Sequence, residues 1–158
     1  MKNVKSEAFG RFLKCQEQMY DVALRELQDG KKQSHWMWYI FPQLRGLARS
    51  RKSFVFGIVN MDYAKAYLSH PVLGPRLIAC CQALLVHKDK KIADIMGETD
   101  RKKLQSCATL FSLVSEENSV FHQLLERFFD GHRDALTLGL ASGCILDFTY
   151  RKYLTGVT

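Results

Sequence analysis

Several kinds of sequence feature are missing from this chain. No apolar run approaches the roughly 18 residues that a membrane-spanning helix needs, and the N-terminal residues are too polar for a signal peptide. Internal repeats and low-complexity tracts are also absent. With 47% hydrophobic and 25% charged residues, the chain has the composition of an ordinary globular protein. We therefore expect one domain over residues 1–158 that does not associate with membranes.

Patterned cysteines and metal-binding spacings are missing too. The five cysteines form an odd set without a C-x-x-C pair: Cys15, Cys80, Cys81, Cys107 and Cys144. The five histidines show no ligand spacing with one another or with cysteine. This distribution favours free thiols in a reducing compartment. We expect a cytoplasmic protein with neither a metal site nor a cofactor.

The motifs of the common enzyme classes do not occur. The chain has no P-loop, no G-x-G-x-x-G string, no nucleophile elbow and no paired carboxylates. Kinases, dinucleotide-dependent enzymes and hydrolases of the familiar kinds are therefore disfavoured. Whether the protein is an enzyme stays open.

Acidic residues are missing from one long window. Residues 30–61 contain no Asp or Glu and carry +6 of the net charge of +7, so the rest of the chain carries only +1. The six basic residues of this window are Lys31, Lys32, Arg45, Arg49, Arg51 and Lys52. An excess concentrated in this way creates a local field that favours anions.

Most of the chain shows apolar residues at helical spacing. Helices are predicted over residues 7–28, 35–41, 61–68, 72–86, 92–96, 100–114, 120–129 and 134–140. Residues 35–41 could instead form a short strand, and Gly10 or the polar residues 15–18 could split the first helix in two. Gly97 separates two of them, Asn60 or Asp62 and Asp134 are N-cap candidates, and Thr99 or Asp100 is expected to cap the helix after Gly97. Residues 54–59 are the best strand candidate. The fold class is all-α, with about six to eight helices and at most a minor strand.

The aromatic string at residues 35–38 is the first candidate site. Trp36 and Trp38 are two residues apart and cannot share one helix face, so at least one is expected to point away from the core. A functional interpretation is a stacking wall for a planar ligand, with His35 and Gln43 as polar anchors. His35 is also the candidate general acid or base. The alternative is a helix-packing cluster with incidental polar neighbours.

Two basic or polar groups extend this site. A Gly-containing loop with Arg45, Arg49 and Arg51 could clamp phosphate or carboxylate, although a solvated basic face is an equal alternative. Three polar residues spaced by three, at Lys103, Ser106 and Thr109, could line a cleft or face water. His70 precedes Pro71 at a helix junction, where a structural hydrogen bond to the backbone is the better interpretation.

Several strings resemble the domain-of-unknown-function family eighteen-ten. They are SHWMW at residues 34–38, FPQLRG at 41–46, YLSHPVLGPRL at 67–77, KL with S and TLF within 103–111, and FFDG at 128–131. The resemblance covers about residues 9–140. It implies a single, mainly α-helical domain found widely in bacteria and in some eukaryotes. The family has no assigned activity, and the "calpastatin" label of some members is unsupported.

The resemblance therefore supplies no catalytic residue. Family members often have Tyr where this chain has Phe56, so a hydroxyl group at that position is not essential to this protein. Residues 141–158 are expected to be a C-terminal extension to the family core.

Together these features predict a domain that binds a nucleotide-like or other anionic planar ligand. Trp36 or Trp38 would stack on the ring, the loop at residues 45–51 would hold phosphate, and His35 and Gln43 would contact the ring or ribose. N-glycosidic or phosphoester cleavage are reactions that such a site could host. An N-glycosidase would need a carboxylate, which Glu26, Asp29 or Asp62 would have to supply through the fold. The alternative is a non-catalytic module that binds nucleic acid or protein.

Overall fold

The computed structural model describes residues 9–143, which form eight helices. They are α1 (Gly10–Asp29), α2 (Met37–Ile40), α3 (Arg51–Val55), α4 (Met61–Ser69), α5 (Leu73–Leu85), α6 (Ile92–Ser112), α7 (Val120–Phe129) and α8 (Ala135–Ser142). The predicted all-α class and helix number are confirmed. Within residues 9–143 there is no strand, and the one isolated β-bridge pairs Leu44 with Ile58.

Helix α5 lies at the centre of the packing and contacts α1, α4 and α7. Helix α6 contacts α4, α7 and α8, and the single turn of α2 packs on α1. Aromatic side chains fill the space between these helices. The ring of Tyr67 lies 5.3 Å from that of Phe12 and 5.6 Å from that of Phe111, so α1, α4 and α6 meet at this tyrosine. All three side chains are fully buried.

The helix ends follow the sequence signals in most places. Helix α1 runs unbroken from Gly10 and ends at Gly30, which takes the left-handed conformation at φ 71°. Asn60 accepts a hydrogen bond from the Tyr63 N–H at 2.8 Å, and Asp134 accepts one from the Thr137 N–H at 2.9 Å. These two predicted N-caps are confirmed.

A break within α6 was predicted at Gly97 and is confirmed there. Gly97 has φ 84° and ψ 164°, a backbone conformation that glycine adopts far more readily than other residues. The predicted cap at Thr99 or Asp100 is wrong, because helical geometry resumes directly after Gly97 and both residues lie inside the helix.

The predicted strand at residues 54–59 is also wrong. Its first residues belong to α3, whose N-cap Ser50 accepts a hydrogen bond from the Ser53 N–H at 3.1 Å. A helical turn at this point satisfies backbone groups that a strand without a partner would leave free. Only Ile58 keeps a strand-like pairing, with its N–H donating to the Gln43 carbonyl at 2.8 Å.

Three of the cysteines lie in the core as free thiols. Cys80, Cys81 and Cys107 are buried, and their burial raises the pKa of each thiol, to about 12 for Cys80. They therefore behave as small apolar side chains. Cys15 is half-buried, and Cys144 lies outside the described residues.

Candidate functional site

A cleft of about 300 Å³ lies between α1, α2, the end of α3 and the part of α6 that follows Gly97. Its aromatic wall consists of Trp38, Tyr39 and Phe56. The rings of Tyr39 and Phe56 are 5.6 Å apart and tilted by 55°. Gln16, buried in α1, donates a hydrogen bond to the Tyr39 carbonyl at 2.8 Å. This bond fixes the short helix α2, which carries two of the three rings.

The charged side chains of the cleft are mostly positive. They are Lys32, Lys52, Lys103 and Asp100, and His35 lies beside them. The Asp100 carboxylate bridges two of the lysines, with Oδ2 2.9 Å from Lys32 Nζ and Oδ1 3.2 Å from Lys103 Nζ. Since one carboxylate faces three ammonium groups, the cleft keeps an excess of positive charge.

Each of the two bridged lysines also lies over an indole ring. Lys32 Nζ is 4.8 Å from the centre of the Trp36 ring, and Lys103 Nζ is 4.3 Å from the centre of the Trp38 ring. These are cation–π distances. The arrangement therefore consists of two lysine–tryptophan pairs that share Asp100.

The pair of Lys32 and Trp36 is mostly buried. Lys32 Nζ donates to the Ser34 carbonyl at 2.6 Å as well as to Asp100, and its side chain is only 8% exposed. The Lys32 backbone N–H donates to the Ile95 carbonyl at 2.7 Å. An ammonium group has three N–H donors. With two acceptors and a ring face already present, Lys32 has little capacity left for a ligand.

Glu26 fixes the same region from the side of α1. Its Oε1 accepts hydrogen bonds from the N–H groups of Gln33 at 2.6 Å and Ser34 at 2.8 Å, and from Trp36 Nε1 at 3.1 Å. Its Oε2 accepts one from the Ser34 hydroxyl at 2.7 Å. Burial alone would raise the pKa of this carboxyl, but the donated hydrogen bonds outweigh burial and lower the pKa. Glu26 is therefore an ionised structural anchor.

The structure brings three of the predicted site residues to the cleft, namely His35, Trp38 and Lys103. Trp36 is fully buried, so the two indoles do face different ways as their spacing predicts. Gln43 does not line the cleft itself. It lies in a small recess that adjoins the cleft at Trp38 and Phe56.

The three predicted arginines do not line the cleft. Arg45 donates through Nε to the Phe54 carbonyl at 2.9 Å, and its guanidinium lies 4.1 Å from the centre of the Phe54 ring. Arg49 and Arg51 are exposed on the loop and on the first turn of α3. The neighbouring Lys52 reaches the cleft instead, so the cations at the site are lysines.

Of the predicted polar stripe on α6, only Lys103 reaches the cleft. The hydroxyls of Ser106 and Thr109 donate to the carbonyls of Lys102 and Gln105, four residues earlier in the helix. This is a common arrangement for Ser and Thr inside helices. Both side chains are buried and serve the packing of α6.

Sequence reasoning missed Asp100 and Phe56 as residues of the site, and it gave no individual role to Tyr39 or to Lys52, which is one of the six basic residues of the acid-free window. Asp100 carried a usable signal, since it lies three residues before Lys103 and such pairs meet on one helix face. None of the acids expected to supply a carboxylate, Glu26, Asp29 and Asp62, lines the cleft. The carboxylate present there is Asp100.

His70 Nδ1 accepts hydrogen bonds from the N–H groups of Val72 at 3.1 Å and Leu73 at 3.2 Å, which confirms its predicted structural role. Within residues 9–143 no three His, Cys, Asp or Glu side chains form a group that could hold a metal ion. The same residues include no helix with the length and apolar character to cross a membrane.

Comparisons with known proteins agree with the fold. The sequence profile of a family described as "Protein of unknown function (DUF1810)" matches residues 6–141. The crystal structure of the conserved hypothetical protein Rv1873 from Mycobacterium tuberculosis is similar, with a TM-score of 0.82 and 39% sequence identity. The match covers 84% of this chain and 94% of the mycobacterial chain. No curated protein matches the chain significantly.

Proposed function

This chain belongs to the DUF1810 family of unknown function, and we propose that its cleft binds a small anionic ligand with a planar ring. The observation that carries the proposal is the pair of Lys103 and Trp38, an ammonium group 4.3 Å from an indole that lines the cleft. A planar ring has Trp38, Tyr39 and Phe56 to stack against, and an anion has ammonium groups beside them. A nucleotide combines both groups in one molecule.

The free charge of the cleft comes from Lys103 and Lys52. Lys32 is matched by Asp100 and by the Ser34 carbonyl. Lys103 makes one longer contact with Asp100, at 3.2 Å, and its side chain is 22% exposed. It retains an N–H for a ligand. Lys52 is exposed and also lines the cleft. Two ammonium groups suit a phosphate group.

The size of the cleft limits the ligand. A volume of about 300 Å³ is at the small end of ligand pockets, which run from roughly 300 to 1,000 Å³. A mononucleotide is of suitable size, whereas ADP-ribose or a dinucleotide would extend beyond the walls. Mononucleotides or similar monoanionic and dianionic ring compounds are therefore the proposed class.

Binding, and not a specific reaction, is the function that the geometry supports. Asp100 is the carboxylate at the cleft, but both of its oxygens accept from lysine. Such an arrangement orients the lysines. His35 stays the candidate acid or base, since it is exposed beside the same groups.

We also place the protein in the cytoplasm, because Cys80, Cys81 and Cys107 are packed as free thiols.

Ligand titration tests the proposal. We expect AMP, or another nucleoside monophosphate, to raise the melting temperature and to quench tryptophan fluorescence. Trp38→Phe should remove most of the quenching, because Trp36 is buried outside the cleft. Lys103→Met should weaken binding roughly tenfold, as expected for the loss of a charged hydrogen bond.

The matched control is Lys65→Met, which removes an exposed lysine on α4 that does not line the cleft. It should bind nucleotides as the wild type does. If a panel of nucleoside monophosphates, inorganic phosphate and phenyl phosphate changes neither melting temperature nor fluorescence, the proposal is wrong.

A second candidate is binding of single-stranded nucleic acid. Arg51 and Lys52 are both exposed and lie next to each other at the start of α3, and Lys52 lines the cleft. A base stacked on Trp38 would allow the backbone of a strand to pass over these cations. Salt dependence separates this function from binding of a mononucleotide.

A further inference from the structure

Gln43 is a buried polar side chain without a visible structural task. It is 9% exposed, and its Nε2 is buried with no hydrogen-bond acceptor among the described residues. Its backbone is held firmly, because the Gln43 carbonyl accepts from the Ile58 N–H at 2.8 Å and the next residue forms the β-bridge. Buried amide donors without a partner are rare in folded proteins, since they lose hydration without compensation.

The recess around Gln43 lies against the aromatic wall of the cleft. It shares Trp38 and Phe56 with the cleft and has a volume of about 10 Å³, close to the room that one water-sized atom needs. Most of the other lining side chains are apolar. Leu44 and Leu47 contribute hydrocarbon, and the Ser53 hydroxyl donates to the Ser50 carbonyl at 2.6 Å. Among the side chains that line the recess, Gln43 is the one with a buried nitrogen atom that lacks a hydrogen-bond partner.

Gly57 keeps this recess narrow and fixed. A Cβ atom at Gly57 would lie 2.7 Å from both the Ser53 carbonyl oxygen and Arg45 Cβ. At Gly57 the backbone after α3 therefore approaches the segment after Gln43 more closely than a residue with a Cβ atom would permit. The position of Phe56, one residue earlier, follows from this approach.

We propose that Gln43 recognises the edge of the ligand ring by donating a hydrogen bond to a ring carbonyl oxygen or ring nitrogen. The ring stacks on Trp38, and its acceptor atom enters the recess between Trp38 and Phe56. Because the terminal torsion of glutamine is soft, the amide can turn its N–H toward that atom. The inference rests on the proposed function and narrows the ligand class to heteroaromatic rings with an acceptor on the edge, such as nucleobases. A plain phenyl ring would stack without satisfying Gln43.

This role differs from a structural one in its effect on the free protein. A structural glutamine has bonded partners, so its replacement by an apolar residue lowers stability. A donor kept for a ligand is unsatisfied in the free protein, so an apolar residue of similar length should be tolerated there. Gln43→Met is thus expected to melt at the same temperature as the wild type or higher.

The experiment compares nucleoside monophosphates with phenyl phosphate on wild type and Gln43→Met by calorimetric or fluorescence titration. We expect the wild type to prefer at least one nucleoside monophosphate to phenyl phosphate. Gln43→Met should bind that nucleotide roughly tenfold more weakly, while phenyl phosphate binding stays unchanged. Gln43→Leu serves as a second variant should methionine pack poorly. Gln82→Met, at an exposed position of α5, is the matched control and should change neither property.

The outcomes separate this inference from the proposed function. Unchanged nucleotide affinity in both variants would show that Gln43 does not recognise the ring edge. Melting several degrees lower in both variants would show that Gln43 has a structural role instead. Neither result would contradict the proposed binding of a ligand in the cleft. If phenyl phosphate loses as much affinity as the nucleotide, recognition of a ring acceptor is likewise wrong. If no probe binds the wild type, the proposed function fails, and this inference fails with it.

Discussion

Two lysine–tryptophan pairs share one aspartate in this protein, and they differ in what surrounds them. Lys32 and Trp36 form one pair, and Lys103 and Trp38 form the other, at ring distances of 4.8 Å and 4.3 Å. Asp100 contacts both ammonium groups. In the first pair Trp36 is fully buried, whereas in the second Trp38 lines the cleft.

The difference lies in how completely each pair is bonded by the protein. The indole N–H of Trp36 donates to Glu26, and Lys32 donates to Asp100 and to the Ser34 carbonyl. Lys103 makes one hydrogen bond, to Asp100. The N–H donors of Lys32 and Trp36 are therefore largely bonded within the protein, whereas Lys103 and Trp38 keep N–H donors that are available to a ligand. The comparison predicts that the first pair serves stability and the second serves ligand binding.

The largest effect is expected from replacing the two tryptophans separately. Trp36→Ala should lower the free energy of unfolding by about 3–5 kcal/mol, because it removes a buried aromatic side chain and leaves a cavity. Trp38→Ala should lower it by about 1 kcal/mol, since that side chain is partly exposed. Urea denaturation measures both values. Equal losses for the two variants would contradict the division between the pairs.

Glu26→Gln should lower the free energy of unfolding by about 2 kcal/mol at neutral pH, because the carboxylate accepts four hydrogen bonds. The pKa of Glu26 is lowered in the folded protein. Its contribution to stability is therefore complete above the unfolded-state pKa of about 4.3 and is lost as the pH falls through the folded-state pKa.

Urea denaturation at a series of pH values checks the sign of this effect. The difference between wild type and Glu26→Gln should be largest near pH 7 and should shrink below about pH 4.3. Glu17→Gln, on the exposed face of α1, is the matched control and should give a small difference. A difference between wild type and Glu26→Gln that grows on acidification would show that the carboxyl is not held ionised.

Much of the helical frame is readable from the sequence, since it depends on local signals. The cap residues Asn60 and Asp134 and the break at Gly97 each act through backbone groups within four residues. The strand prediction for residues 54–59 is wrong because β-branched and aromatic composition does not reveal a helix start. That start depends on the Ser50 side chain four residues earlier.

The site was readable only in part, because it joins segments that are far apart in the chain. The spacing of Trp36 and Trp38 indicates that they face different ways, but it does not tell which one is buried. Trp36 is the buried one because its indole N–H donates a hydrogen bond to Glu26 of α1. The local charge of the sequence likewise predicts an anion site at the arginine loop. The fold instead brings Lys103 and Asp100 of α6 to the aromatic wall.

Replacing the two lysines separately should change stability less than replacing the two tryptophans. Of the two lysine variants, Lys103→Met should be the one that weakens ligand binding. Lys32→Met should lower the free energy of unfolding by about 1–2 kcal/mol, because it removes a mostly buried partner of Asp100. Lys103→Met should lower it by less than about 0.5 kcal/mol. Thermal or urea denaturation together with nucleotide titration would test this. If the Lys32 variant alone lost ligand affinity, the roles of the two pairs would be reversed.

The smallest expected effect concerns the exposed arginine beside the cleft. If single-stranded nucleic acid is the ligand, a short oligothymidine should bind with a steep dependence on salt, and Arg51→Ala should reduce the slope of log K against log salt by about 0.7. Fluorescence anisotropy at several salt concentrations measures this slope. Arg25→Ala, an exposed arginine on α1, is the control and should leave it unchanged. Because Arg51 does not line the cleft, an unchanged slope for Arg51→Ala would restrict binding at Lys103 and Trp38 to small ligands.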